Sequence, residues 1–311
     1  MSNFASLTRM RIQLALRNKM FFFFSVFFPV GMFFLYAGVF AKGVPHVVRF
    51  FLGPVISFNV MGSFWGLSAM LVTFREQGIL RRFHVTPISA ADMLASSVLA
   101  NFVLTLPTVC LELLLARTLF HVSDLGNLVS VAVLVTAGVV SFGSLGLVVA
   151  SVTNTMQETQ VLNQIIWLPL IFLSGATLPL PFLPKAVQAI AVFLPATYLV
   201  TGLQSAIYSS YPVWNLLVQL LSLAFWAALT FFVAVQLFRW EPEVKIPRRA
   251  KLWAAATALP FFLLGVWEND HGQILVQAQA AFRSLDRPAK NSQPQSSPET
   301  QGNKDQPKQP F

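Results

Sequence analysis

Charge is what this sequence has least of. Asp, Glu, Lys and Arg make up 11% of the 311 residues, against roughly 25% in a soluble domain. So little charge cannot clothe a water-facing surface, which points to lipid as the solvent. Cysteine is nearly absent: Cys110 stands alone, excluding an intramolecular disulfide and a cysteine-ligated metal cluster. The histidines, His46, His84, His121 and His271, form no His-x3-His pair, so no metal site is expected. There is no Gly-x-Ser-x-Gly elbow, and Asp92 and Asp124 sit at the edges of apolar runs, not paired within one. An intramembrane hydrolase therefore has nothing to stand on. Also missing is the phosphate-cradling Gly-x4-Gly-Lys-[Ser/Thr] loop, so the chain is not expected to be an ATPase or to bind a cofactor itself.

Apolar residues are plentiful. They make up 55% of the chain, 30 of them Phe, and the mean hydropathy is +0.65. The net charge of +9 is not a nucleic-acid signature, because basic residues flank apolar runs instead of forming a patch interleaved with aromatics. The expected fold is an all-α polytopic membrane protein. A bilayer core takes about 20 apolar residues in helix, and six runs qualify: 20–41, 50–74, 94–116, 125–153, 161–180 and 213–238. Before them, residues 1–19 mix Phe4, Leu7, Ile12, Leu14 and Leu16 with Arg9, Arg11, Arg17 and Lys19, as in an amphipathic helix lying in the interface. Val39-x-Ala41 loosely resembles a signal-peptidase site, but the apolar run is too long for a usual signal core. Ser89 with Asp92 predicts an N-cap for the third span.

Lys and Arg in alternate connections set the orientation. With the N-terminus inside, inner segments hold twelve and outer ones four: Lys42, Arg49, Arg117 and Lys185. The N-terminus is therefore expected in the cytoplasm. Between the fifth and sixth spans, Pro179, Pro181, Pro184 and Pro195 interrupt an apolar stretch; a re-entrant hairpin in the outer leaflet suits such broken backbone. The extension 241–311 holds a short apolar run, 252–267, which reads as a possible seventh span. Its end, 288–311, is polar and reads as disordered.

Two segments carry a resemblance. Arg75-Glu76-Gln77-Gly78, then Leu80-Arg81-Arg82-Phe83 and Thr86-Pro87-Ile88-Ser89, resembles the first cytoplasmic loop of ABC type-2 transporter permeases. Leu168 to Pro179, followed by Leu183-Pro184 and Leu194-Pro195-Ala196-Thr197-Tyr198, is similar to the fifth-span region of that family. The resemblance covers about residues 1–240 and implies the membrane-spanning subunit of a bacterial exporter in the inner membrane. It also implies a cytoplasmic ABC ATPase partner using ATP and Mg, and a second permease copy. Drugs, lipids or polysaccharides would be substrates. On that footing Arg75, Glu76, Ile79, Leu80, Arg81, Arg82 and Phe83 would couple to the ATPase, with Ile79, Leu80 and Phe83 as exposed apolar knobs. Gly175, Pro179, Pro184 and Pro195 would shape the outer gate.

Polar and aromatic residues inside spans are the pathway candidates, since intramembrane ionisable groups are costly. They are Asn59, Phe64, Trp65, Glu112, Asn163, Trp167 and Phe172. Each also has a structural reading: amides glue helices together, and aromatics face core or lipid. The competing function is a secondary transporter or channel without an ATPase, for which paired intramembrane charges would be expected; Glu112 and Arg117, five apart, do not share a helix face.

Overall fold

The computed structural model describes residues 2–17, 23–84, 88–240, 252–253 and 256–285, and these are helical with irregular connections. Helix α1, Ser2–Arg17, precedes π-helical turns at Phe23–Phe27 and Tyr36–Phe40 that flank α2, Phe28–Leu35. Then come α3, Pro45–Met61, and α4, Ser63–Glu76, which together make one apolar stretch of 32 residues. The short α5, Ile79–His84, leads to α6, Ala90–Thr118, and α7, Leu128–Val152. Next are α8, Met156–Leu173, and two helices bent by 98°, α9 Lys185–Ala191 and α10 Pro195–Tyr208. After a 3-10 turn comes α11, Leu217–Leu237, and the described chain ends with α12, Leu259–His271, and α13, Gln273–Leu285.

Among the described residues four stretches have the length and apolarity of a span: Pro45–Glu76, Ala90–Thr118, Leu128–Val152 and Val213–Leu237; the bent pair would make a fifth. They match expected runs with shifted ends, and the shifts have local causes. At α6 the Ser89 hydroxyl accepts from the Asp92 N–H, the predicted cap. At α7, Asn127 caps Ser130 in the same way. The fifth run, expected over 161–180, is corrected to Met156–Leu173. Thr155 accepts from Glu158 N–H and so starts the helix within polar sequence. Past Leu173, Gly175 turns left-handed at φ +91°, a conformation glycine adopts without strain. The first run is interrupted: α2 sits between two π-helical turns, and residues 18–22 lie outside the described set.

The bundle has two ends. At one, Arg49 pairs with Asp124 at 2.6 Å and donates to Ile207 O at 2.9 Å. At the other, Arg75 and Arg239 converge on the α7–α8 turn. Helices α3 and α10 pack backbone to backbone, since a Cβ on Gly53 would stand 2.7 Å from Gln204 Cα; small residues allow such approach between membrane helices. The re-entrant hairpin expected between the fifth and sixth spans is this bent pair α9–α10; the extent of α10, to Tyr208, was not anticipated. Thr197, Thr201, Gln204 and Ser205 depress its hydropathy, yet Pro195 to Ile207 are all buried. Thr197 and Tyr198 spend their hydroxyls on Ala191 O and Val192 O, fixing the bend.

Helix α1 is docked, not merely laid on a surface. Arg11, 1% exposed, donates to Met93 Sδ and lies 5.8 Å over the Phe74 ring. Burial lowers its pKa to about 10. The expected disorder of 288–311 falls outside the described residues. Helix α13, also unanticipated, seats Phe282 against Phe182 and Phe50 at the Asp124 end.

Candidate functional site

A chemically varied cavity, about 600 Å³, lies midway along α3–α4, between those helices, α6 and α8. Asn59, Ser63 and Trp65 approach it from α3–α4, Asn101 and Thr105 from α6, and Gln164, Trp167, Leu168 and Phe172 from α8; Phe28 and Pro29 of α2 close one side. Gly62 and Gly66 keep the wall low where the chain passes. Among the described residues no charged side chain lines it.

Its polar groups are mostly unanswered. Asn59 Nδ2, Ser63 Oγ, Trp65 Nε1 and Asn101 Nδ2 are shielded from water and have no hydrogen-bond partner. A buried polar group left so costs roughly 1–3 kcal/mol, and these four belong to residues on two sides of the cavity, α3–α4 and α6. The apolar balance is aromatic: Phe58 meets Trp167 edge-on at 5.1 Å between centroids, and Phe28 lies 5.8 Å from Phe58.

Of the seven expected pathway residues, Asn59, Trp65, Trp167 and Phe172 line this cavity. The structure places the other three elsewhere. Phe64 is fully buried and stacks behind Trp167, with its Cα 2.9 Å from where a Cβ on Gly146 would stand. Asn163 points to α4, where its Nδ2 donates to Ser68 Oγ at 2.8 Å; it is helix glue. Glu112 is fully buried beside the Asn59 amide, and neither carboxylate oxygen makes a hydrogen bond of ordinary geometry. Missed from the sequence were Asn101, Thr105 and Ser63. The signal was present: Asn101, Thr105, Thr108 and Glu112 recur at i, i+4, i+7 and i+11, one face of α6.

A second cavity, about 740 Å³, separates α7 from α8. Its walls are aliphatic, Leu145, Val148, Val149, Val161 and Ile165 among them, with Gln157 and Glu158 confined to the Arg75 end.

The Arg75 end is built differently. Arg75 donates to Ala150 O at 2.9 Å and Thr153 O at 2.6 Å. Arg239 donates to Thr153 O, Ser151 O and Asn154 Oδ1; partial burial lowers its pKa. Glu76 accepts from Met156 N–H at 2.8 Å. Two cations thus hold the C-terminal carbonyls of α7, where the helix dipole is negative, and Glu76 holds the start of α8. The expected exposure of the coupling residues is corrected here. Arg75 is 1% exposed and Leu80 fully buried, so Leu80 is no exposed knob; Ile79 is half-buried and Arg81 exposed. The side chains of Arg82 and Phe83 lie outside the described set.

The expected gate residues each start or end an element. Tyr36 OH donates to Thr177 O at 3.1 Å and Ala176 O at 3.3 Å, clasping the Gly175 turn. Pro179 precedes the 3-10 turn Leu180–Phe182, Pro184 caps α9, and Pro195 opens α10. Among the described residues no cluster of His, Cys, Asp and Glu could hold a metal.

Comparison with known proteins adds a family. The family described as ABC-2 type transporter matches residues 2–208. The chain is 27% identical over 180 residues to the "Linearmycin resistance permease protein LnrN" of Bacillus subtilis (strain 168), covering 58% of this chain and 46% of that protein. It is 23% identical over 164 residues to the "Probable multidrug ABC transporter permease YbhS" of Escherichia coli (strain K12), covering 52% and 41%. The matched stretch thus spans under half the length of these relatives.

Proposed function

The chain belongs to the ABC-2 type transporter family, and we propose that it is the permease subunit of an ATP-driven exporter for amphipathic, drug-like molecules. The observation that carries this reading is the cavity around Asn59: apolar and aromatic walls, no charge among the described lining residues, and several residues with unpartnered donors at mid-bundle. Such a mixture suits a molecule that is largely apolar with a few hydrogen-bonding groups. A sugar polymer would need many more polar partners, and a two-chain lipid is less well matched to a cavity of about 600 Å³. The printed names of the relatives, linearmycin resistance and multidrug, support the drug class.

In this reading the Arg75 end is cytoplasmic, in accord with the twelve-to-four bias of basic residues, and the membrane is a bacterial inner membrane. A separate ATPase hydrolyses ATP with Mg, and a second permease copy completes the transporter. The short α5 is the contact, with Arg81 exposed and Arg82 and Phe83 adjacent in sequence. Its motion reaches the bundle through Arg75 and Glu76, which follow α4 and grip the α7–α8 turn. The membrane-facing apolar surface contacts lipid.

The test is reconstitution with a candidate ABC ATPase subunit and a screen for substrate-stimulated ATP hydrolysis. Drug-stimulated hydrolysis that is lost in the double variant Arg82→Ala, Phe83→Ala, at unchanged abundance, supports the reading. Transport driven by an ion gradient without the ATPase would replace it with a secondary transporter.

A further inference from the structure

Glu112 is a carboxyl group with nothing to answer it. It sits on α6 with no solvent exposure, both oxygens are unpartnered, and among the described residues no Lys, Arg or His pairs with it; Arg49 is committed to Asp124. Its neighbour is the side-chain amide of Asn59, which also lines the cavity. The Asn59 amide thus has Glu112 on one side and the cavity on the other, with a nitrogen able to donate to a carboxylate and an oxygen able to accept from a ligand. On the same face of α6, Asn101 and Thr105 continue the polar stripe from Glu112 into the cavity wall.

We propose that the cavity takes amphiphiles carrying a protonated amine, and that Glu112, acting through Asn59, supplies the countercharge. The proposal rests on the cavity being the substrate site. An ammonium group at the Asn59 oxygen would donate to it while Asn59 donates to the Glu112 carboxylate, a charge-assisted chain in a water-poor place where such bonds are strong. Trp65 and Trp167, which also line the cavity, would add cation–π attraction. An anionic ligand would meet Glu112 with no Arg or Lys on the lining to offset it. A neutral ligand would leave the carboxyl unanswered.

The experiment uses the purified chain, with its partner ATPase, in nanodiscs. The probes are monodansylcadaverine, an amphiphilic primary amine, and its N-acetylated form, which keeps the fluorophore and loses the charge. Binding is read as energy transfer from tryptophan to dansyl, after subtraction of empty nanodiscs. The expected result is an affinity for the amine at least about tenfold above that for the acetylated probe, with Glu112→Gln and, independently, Asn59→Leu bringing the two together. Thr105→Trp, which fills the cavity, should abolish binding of both. Equal affinities in the wild type, or a preference that survives Glu112→Gln, overturn the cation proposal while leaving the cavity as a binding site. Binding that survives Thr105→Trp, or no binding of either probe, overturns the cavity reading and the proposal with it.

Discussion

The Arg75 end and the Asn59 cavity are both polar places inside an apolar bundle, and they satisfy their polar groups to different degrees: at the first, Arg75 Nε lacks a partner but the outer guanidinium nitrogens are engaged. At the Arg75 end two guanidinium groups reach the carbonyls of Ala150, Ser151 and Thr153, and Glu76 takes the Met156 N–H. Around the cavity Asn59, Ser63, Trp65 and Asn101 each keep an atom without a partner. A satisfied cluster stabilises and fixes one geometry; an unsatisfied one costs stability and is retained where a ligand finishes it. The difference separates a joint from a binding place, and substitutions should respond accordingly.

The largest expected effect is at the joint. Arg75→Ala removes a buried cation with its two hydrogen bonds and takes this donor from the carbonyl of Ala150, while Thr153 O keeps only Arg239. The expected loss is about 3 kcal/mol, read as lower abundance and a lower Tm of the purified chain. Unchanged Tm would mean that the α7–α8 turn does not depend on this contact. Next is the packing that backs the cavity. Gly146→Leu would drive a side chain into the Phe64 backbone and should cost roughly 1–3 kcal/mol.

How much of this was legible in the sequence follows the same division. Spans were legible because lipid imposes a length and a composition, and the Ser89–Asp92 cap because its residue types are specific. Thr155–Glu158 carries the same pattern, but hydropathy placed the start of α8 at residue 161, past the polar turn. Helix α13 hid for a related reason: Ile274, Ala278 and Ala281 are its buried face, sparse among Gln and Ala. Half of the cavity was legible, since Asn59, Trp65, Trp167 and Phe172 are conspicuous inside apolar runs. The burial of Leu80 and Arg75 was not, because it depends on which helix packs against the end of α4, and no local pattern encodes that.

A sharper test compares two asparagines. Asn163→Leu breaks the amide–hydroxyl contact with Ser68, costing about 1 kcal/mol and leaving substrate-stimulated ATP hydrolysis intact. Asn101→Leu removes a buried donor that had no partner, so its Tm should hold or rise, while substrate stimulation falls. If both variants lose stability alike, the distinction between answered and unanswered groups fails.

The smallest effect, none on stability, decides which way the comparison faces. At the Arg75 end, Arg81 is exposed. At the other, α13 is held by Phe282 between Phe182 and Phe50 and by Gln219 donating to Gln277 at 2.7 Å, and Ala280 is exposed. Since Arg239 is anchored at the Arg75 end, the chain travels from one end of the bundle to the other between Arg239 and α13. Trp226 donates to Thr257 O, and Phe261 packs on Trp226 and Tyr198, so the passage runs against the bundle. Thirteen residues of α12 rise about 20 Å at 1.5 Å each, so neighbouring residues must complete a crossing. With Cys110, the one free cysteine, first replaced by Ser, an impermeant thiol reagent on intact cells should label Ala280→Cys and spare Arg81→Cys; spheroplasts serve where an outer membrane intervenes. Labelling of Ala280→Cys only after lysis would put both ends of the extension on one side and remove the seventh crossing. Labelling of Arg81→Cys in intact cells would invert the bundle and place the Arg75 joint out of reach of any cytoplasmic ATPase.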